Sequence, residues 1–310
     1  MEKLLGIFLA DGLKQALIVV AVFIGYFIKR LKVFSDDAPI ILNQFVIYIS
    51  IPAMVLLKIP KLTISLESAI PAVIAWVVMI FSALFIFFIS KFYAFSKEVT
   101  GSLLLVSVLG NTTFLGIPLI SAYLGDSSLP YILIYDQFGS FIFLTIYGTF
   151  IASYYSNTTE VDLKILAKKV ILFPPTISLI VAFILHGMEF HPALTSVLKS
   201  LANTIVPIAL VAVGLQLRFK LTSNEIKPLS IALSTKLILS PMIAYAMCII
   251  FSWDSQVALV SIMEAGMGPM VTAGAIASMS GLAPRLSSAI VGYGVLISFL
   301  TTWGLFKFIS

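Results

Sequence analysis

The chain has 310 residues, 60% of them hydrophobic and 11% charged, with a mean hydropathy of +1.11. That composition excludes an ordinary soluble domain, and apolar runs of about 20 residues recur from end to end, as in a polytopic membrane protein. The net charge of +5 is accounted for by loop placement, so the expected partner is the lipid bilayer and not nucleic acid, while the single cysteine, Cys248, excludes an internal disulfide and a thiolate metal site.

Met1–Ala10 carries one lysine and a short apolar stretch without a clear small-x-small site, and reads as a retained outer lead-in to the first span. Ten spans follow. The first half gives Gly12–Ile28, Pro39–Leu57, Ala69–Ser90, Gly101–Tyr123 and Pro130–Tyr154. The second half gives Ala167–His186, Leu194–Leu217, Pro228–Phe251, Ser255–Met279 and Ala283–Phe308. The longest polar segment, Ser156–Lys169, divides the chain near its midpoint and is too short for a domain. The expected organisation is therefore one membrane domain over 1–310, with a first repeat at 1–155, a linker at 156–169 and a second repeat at 170–310.

Lysine and arginine set the orientation. After the odd-numbered spans lie Lys29, Arg30, Lys32, Lys91, Lys97, Lys164, Lys168, Lys169, Arg218, Lys220, Lys227 and Arg285, which is twelve. The opposite loops and both termini hold four, Lys3, Lys58, Lys61 and Lys307; Lys14, Lys199 and Lys236 fall within spans. The positive-inside rule makes the first set, and with it the linker, cytoplasmic, and puts both termini outside. Two glycosylation sequons, at Asn111 and Asn157, then fall in the membrane and on the cytoplasmic side, so neither is an expected glycan site.

The two halves carry prolines in step. Pro52 to Pro71 is 19 residues and Pro207 to Pro228 is 21; Pro52 to Pro118 is 66 and Pro207 to Pro269 is 62. Each half has five spans, an odd number, so the second half must enter the membrane inverted. An inverted repeat is an architecture of secondary transporters.

The fourth span contains Gly110-Asn111-Thr112-Thr113-Phe114-Leu115-Gly116-Ile117-Pro118 inside an uncharged run. Gly and Pro at that density are poor helix formers. A break at mid-depth survives only where protein or water lines it, and it marks a binding site in transporters. A merely kinked span with hydroxyls bonding back to their own helix is the structural alternative. The repeat predicts a partner in span nine, where Glu264-Ala265-Gly266-Met267-Gly268-Pro269 is found. Two crossed breaks would aim half-helix N-termini at a shared centre suited to an anion, with backbone carbonyls and Asn111 available to a cation. Packing alone would also explain Ala265, Gly266, Gly268, Ala273, Gly274 and Ala277.

Three charged residues lie well inside spans: Asp136, beside Gln137; Glu264; and Lys236. Charges at that depth usually face a cavity and mark ion or substrate paths. Asp136 and Glu264 read as coupling-ion or proton sites, since burial favours a carboxyl's neutral form, or else as structural carboxylates paired with Lys236 or a backbone amide. Lys236 reads equally as a site residue or as a lysine reaching toward the cytoplasmic face. Gln137, Asn203 and Gln216 could add amide contacts to a cavity or simply tie helices together. The His186, Glu189, His191 cluster has no metal-ligand spacing and reads as an interfacial loop. No phosphate loop, nucleophile–His–acid set or paired metal ligands appear, so the reading is a gradient-driven carrier, not an enzyme, with no cofactor beyond a coupling proton or sodium ion.

The Gly110–Pro118 run, together with Tyr48-Ile49-Ser50-Ile51-Pro52-Ala53 and Ile205-Val206-Pro207-Ile208-Ala209-Leu210-Val211-Ala212-Val213-Gly214, resembles the auxin efflux carrier family. The resemblance is to its prokaryotic malate or dicarboxylate permease-like members and runs over essentially the whole chain. It implies an all-α fold of ten spans in an inverted five-plus-five arrangement, similar to bile acid sodium symporters. Spans one, two, six and seven would form a scaffold and the rest a transport domain with crossed, broken fourth and ninth spans. Carried over, Asn111 and Pro118 would sit at the first break, and Glu264 with Gly268 and Pro269 at the second; Thr112, Thr113, Gly116 and Gly266 beside them complete the expected substrate- or ion-binding set. One departure stands. Where the family has Met-Pro followed by an Asn, this chain reads Met267-Gly268-Pro269-Met270-Val271-Thr272, with the proline shifted by one and Thr272 in place of the amide.

The expected function is secondary transport of small organic carboxylates, dicarboxylates or auxin-like acids, by alternating access with proton coupling. The alternatives are sodium coupling of the bile acid type and a membrane sensor that binds a metabolite without moving it. A second copy of the chain is a further candidate partner.

Overall fold

The computed structural model describes residues 18–32, 34–35, 37–62, 65–156, 168, 171–219 and 221–309. The expected lead-in, the start of span one, the Asn157 sequon and nearly all of the linker lie outside these residues. Within them the chain is helical, without strands; the single extended feature is one isolated bridge. Among the described residues, six helices are long and apolar enough to cross a membrane: Ala38–Lys61, Leu66–Phe92, Asp126–Ser156, Pro192–Gln216, Ser223–Ile250 and Pro284–Ile309. They correspond to spans two, three, five, seven, eight and ten, so the protein is a multi-pass membrane protein. Shorter apolar helices, Thr112–Leu124, Pro174–Ile184 and Gln256–Ala265, fall in spans four, six and nine.

The chain forms two compact units. The first comprises Met1–Thr63, Phe114–Pro130 and Phe173–Gln216; the second comprises Ile64–Thr113, Tyr131–Leu172 and Leu217–Ser310. Spans one, two, six and seven all fall in the first unit, joined there by the second half of span four, which the resemblance had not separated from its first half.

Local chemistry explains how polar and proline-bearing sequence stays helical at depth. Three prolines, Pro52, Pro118 and Pro241, each stand two residues past the end of a widened π-helical turn: Val46–Ser50, Thr112–Gly116 and Thr235–Leu239. Proline lacks an N–H, and its ring collides with the carbonyl four residues back. A wider turn relieves that collision. Hydroxyls add side-chain bonds within and between these helices: Ser240 Oγ donates to Thr235 O at 3.0 Å and lies 3.1 Å from Ser82 Oγ in span three. In span five, the π-helical turn Tyr135–Phe141 has its Phe138 carbonyl capped by Trp76 Nε1 at 2.9 Å.

Spans three and eight begin alike. Ser65 and Ser68 form a capping box ahead of the 3-10 turn Leu66–Ala69, and Thr222 with Glu225 does the same ahead of Ser223–Glu225. Each is followed six residues on by a proline, Pro71 or Pro228.

In the first unit, residues 18–30 cross the helix Ile205–Gln216 at backbone contact. A Cβ on Gly25 would lie 2.2 Å from Val211 O, and one on Gly214 would lie 2.0 Å from Val22 O. Both partners are main chain and cannot swing away. Gly214→Ala is therefore expected to destabilise the protein by about 2–3 kcal/mol, read as a lowered midpoint in thermal unfolding of the detergent-purified chain; an unchanged midpoint would refute this packing. Spans two and seven are further linked by Ser50 and Thr204, whose hydroxyls lie 2.7 Å apart. Two loops of the unit are tied by Gly187 N–H donating to Pro60 O at 2.9 Å and His186 Nε2–H to Leu62 O at 2.8 Å. His191 accepts from Ala193 N at 3.3 Å and so caps the helix Pro192–Ala202. The two histidines thus have structural roles.

Candidate functional site

The second unit contains the two breaks, and they pair with each other. Span four is helical over Lys97–Val106, leaves the helix from Ser107 to Asn111, and resumes as Thr112–Leu124. Span nine is helical over Gln256–Ala265 and again over Val271–Met279. Between these halves Asn111 N–H donates to Gly268 O at 2.7 Å and Met270 N–H donates to Leu109 O at 2.9 Å, with Gly110 facing Pro269 in an antiparallel bridge. Each break therefore satisfies backbone groups that the other exposes, which a membrane interior demands.

The bridge also accounts for the shifted proline. In an antiparallel pair, the residues facing each other between two flanking hydrogen bonds make none themselves. Pro269 occupies that position, so its missing N–H costs nothing there. Its ring packs on Gly294 of span ten, where a Cβ would come within 2.4 Å of Pro269 Cδ. Gly268 lies against Ser298, and Gly266 against Leu305, at 2.9 and 3.0 Å for an added Cβ. The span-nine glycines are thus close-packing positions first.

The mid-span charges are arranged by helix ends. Asp136 Oδ1 accepts from the hydroxyls of Thr112 and of Thr113, the latter at 2.7 Å, and its Oδ2 accepts from Gln137 Nε2 at 2.7 Å. The carboxylate thus sits on the first residues of the resumed helix, the end that favours negative charge. Lys236 Nζ donates to Ala265 O at 2.9 Å, at the C-terminal end of Gln256–Ala265, which favours positive charge. Lys236 is only 2% exposed and does not reach toward a membrane face. Its ammonium occupies the space beside Gly110, where a Cβ would meet it at 2.9 Å.

Glu264 differs from both. It is 0% exposed, and neither carboxyl oxygen has a hydrogen-bond partner among the described residues. Asp136, Lys236 and Tyr135 lie within electrostatic reach of it. Gln137 Oε1 and Ser107 Oγ are likewise buried without a partner among the described residues. A carboxyl that has no hydrogen bond to break is the one that can take up or release a proton at least structural cost.

Thr112, Thr113, Asp136 and Gln137 are therefore brought into one network, with Asn111 joined to it through the bridge, and Lys236 meets the second break beside Glu264. Thr272 lies apart from the network, exposed on the first turn of Val271–Met279. Pro118 and Gly116 are corrections. The break lies at Ser107–Asn111; Gly116 closes the widened turn and Pro118 follows it inside a continuous helix, because the wide turn absorbs the proline. Both belong to the first unit. Sequence reasoning missed Ser107 and Tyr135, although Ser107 lies in the same uncharged run and Tyr135 adjoins Asp136. It also missed the Ser82–Ser240 pair, for which isolated serines in apolar spans gave no signal.

A protein-family model described as "Membrane transport protein" matches residues 14–305. An uncharacterized transporter of Methanocaldococcus jannaschii is 29% identical over 240 residues, covering 74% of this chain and 77% of that protein. An uncharacterized transporter of Methanothermobacter thermautotrophicus is 22% identical over 288 residues, covering 92% and 93%.

Proposed function

The chain belongs to the membrane transport protein family, and we propose that it is a secondary active transporter of small organic carboxylates that uses Glu264 as its proton-carrying group. The full reading is ten spans in an inverted five-plus-five repeat, with both termini outside and the first unit serving as scaffold. The observation that carries it is the hydrogen-bonded crossing of two interrupted spans, through Asn111 with Gly268 and Met270 with Leu109, next to a buried carboxyl with no partner among the described residues. Interrupted spans paired at depth are the binding-site architecture of secondary carriers. Parity supports the repeat, since spans four and nine differ by five crossings and their bridge runs antiparallel.

The substrate carboxylate is assigned to the N-terminal turn of Val271–Met279, whose first N–H groups have no carbonyl one turn back and whose Thr272 hydroxyl is exposed. The corresponding end of span four is already occupied by Asp136, so it serves the fold and not the ligand. Reconstituted in vesicles, the protein is expected to take up labelled malate, malonate or indole acetate under an imposed proton gradient. Replacement of sodium by choline is expected to leave that uptake unchanged, and a sodium requirement would transfer the coupling to sodium. If no anion moves under either gradient, the transport reading fails.

A further inference from the structure

Cations are scarce on the side of the chain that the loop-charge pattern assigns to the outside, yet three lysines on that side converge on one cavity. In the first unit a cavity of about 400 Å3 is lined by Lys58, Lys61, Lys199, Asp126, Ser121 and Asn203, and the rest of its wall is apolar. The lining comes from the end of Ala38–Lys61, the turn after Ile117–Leu124 and the start of Pro192–Gln216. These are three segments that alternation of spans brings to the same face. The tie of Gly187 to Pro60 and of His186 to Leu62 fixes the turn that carries Lys58 and Lys61.

Charge decides what fits. Lys58 pairs with Asp126 at 3.2 Å. Lys61 and Lys199 have no carboxylate within ion-pair distance among the described residues, and both side chains are exposed. Two uncompensated positive charges therefore face a space of the volume that small ligands occupy. Exposed lysines on a bare surface would be neutralised by solvent and salt, and a lone pair such as Lys58–Asp126 contributes little. Two such lysines lining one cavity are different, because a small dianion held there is offered both ammonium groups, with the Asn203 amide as a further donor.

We propose that this cavity is an outer receiving site for a small dianion, held by Lys61 and Lys199, separate from the crossing of spans four and nine. The site takes a dicarboxylate in preference to a monocarboxylate, since only a dianion cancels both charges. It rests on the organic-anion reading for its substrate class but not on proton coupling.

The test is equilibrium binding of malonate and of inorganic phosphate to the purified full-length protein, at low and raised salt. Wild-type affinity for malonate is expected to fall as salt rises. The double variant Lys61→Gln/Lys199→Gln is expected to bind malonate about tenfold or more weakly and to lose most of that salt dependence. Both positions are exposed, so folding is expected to be unaffected; a Lys91→Gln variant removes an unrelated surface charge and is expected to bind as wild type. Lysine-dependent binding of phosphate with none of malonate would make the site one for inorganic anions and overturn the dicarboxylate assignment. Equal malonate affinity in the double variant and the wild type would overturn the site itself. Malonate binding that depends on the lysines while no anion is taken up in vesicles would sink the transport reading alone.

Discussion

Glu264→Gln is expected to uncouple the protein from a proton gradient while leaving its fold intact. In vesicles with an imposed pH difference, the variant's uptake of the transported anion is expected to fall to the level seen without a gradient. Exchange of labelled for unlabelled anion, which needs no net proton movement, is expected to persist. The reason is local. The Glu264 carboxyl makes no hydrogen bond among the described residues, so an amide of the same shape breaks none. Stability is then expected to shift by no more than about 1 kcal/mol. What disappears is the ability to gain and lose a proton between Asp136 and Lys236. A variant whose uptake still follows the pH gradient would remove Glu264 from the coupling path and return the role to another group.

The largest expected effect on stability belongs to Asp136→Ala. That substitution leaves the hydroxyls of Thr112 and Thr113 and the Gln137 amide, all now donating to one carboxylate, without their acceptor in a dry interior. It also removes the negative charge from the start of Thr112–Leu124. Breaking a buried, hydrogen-bonded charge in this way costs about 3–5 kcal/mol. In the Asp136→Asn variant a carbonyl oxygen can still accept from the two threonines, and the loss is confined to Gln137, at about 1–2 kcal/mol. Thermal unfolding of the three proteins in detergent separates these outcomes. An alanine variant as stable as the asparagine variant would show that the threonine contacts are not what holds the break. The two carboxyls therefore differ in kind: loss of Asp136 is expected to unfold the crossing, and loss of Glu264 to silence it.

Much of this was legible before any fold was known. The uncharged run around Asn111, the matching Glu264–Pro269 stretch and the proline spacing located both breaks, because Gly and Pro leave marks in sequence that apolar context cannot hide. Asp136, Glu264 and Lys236 stood out because charge in an apolar span is rare. What they do there was not legible. Asp136 sits on a helix start, Lys236 on a helix end, and Glu264 on neither, and that difference depends on where helices 24 to 29 residues away in sequence place their termini. Pro118 misled as the centre of the first break because a proline's effect depends on the turn before it, and Thr112–Gly116 widened to accept it.

The sequence by itself determined the class of the protein: a multi-pass, helical membrane transporter with two interruptions inside apolar runs, its sidedness suggested by lysine and arginine. Those are properties of composition and period, which each segment carries alone. Only the tertiary structure decided that the interruptions bond to one another, that Pro269 stands where no N–H is needed, and which buried charge is left without a partner. It also gathered Lys58, Lys61 and Lys199 into one cavity from segments far apart in the chain. Hydrogen bonds and charge pairs form between atoms, not between positions, and no local pattern records which distant atom will arrive.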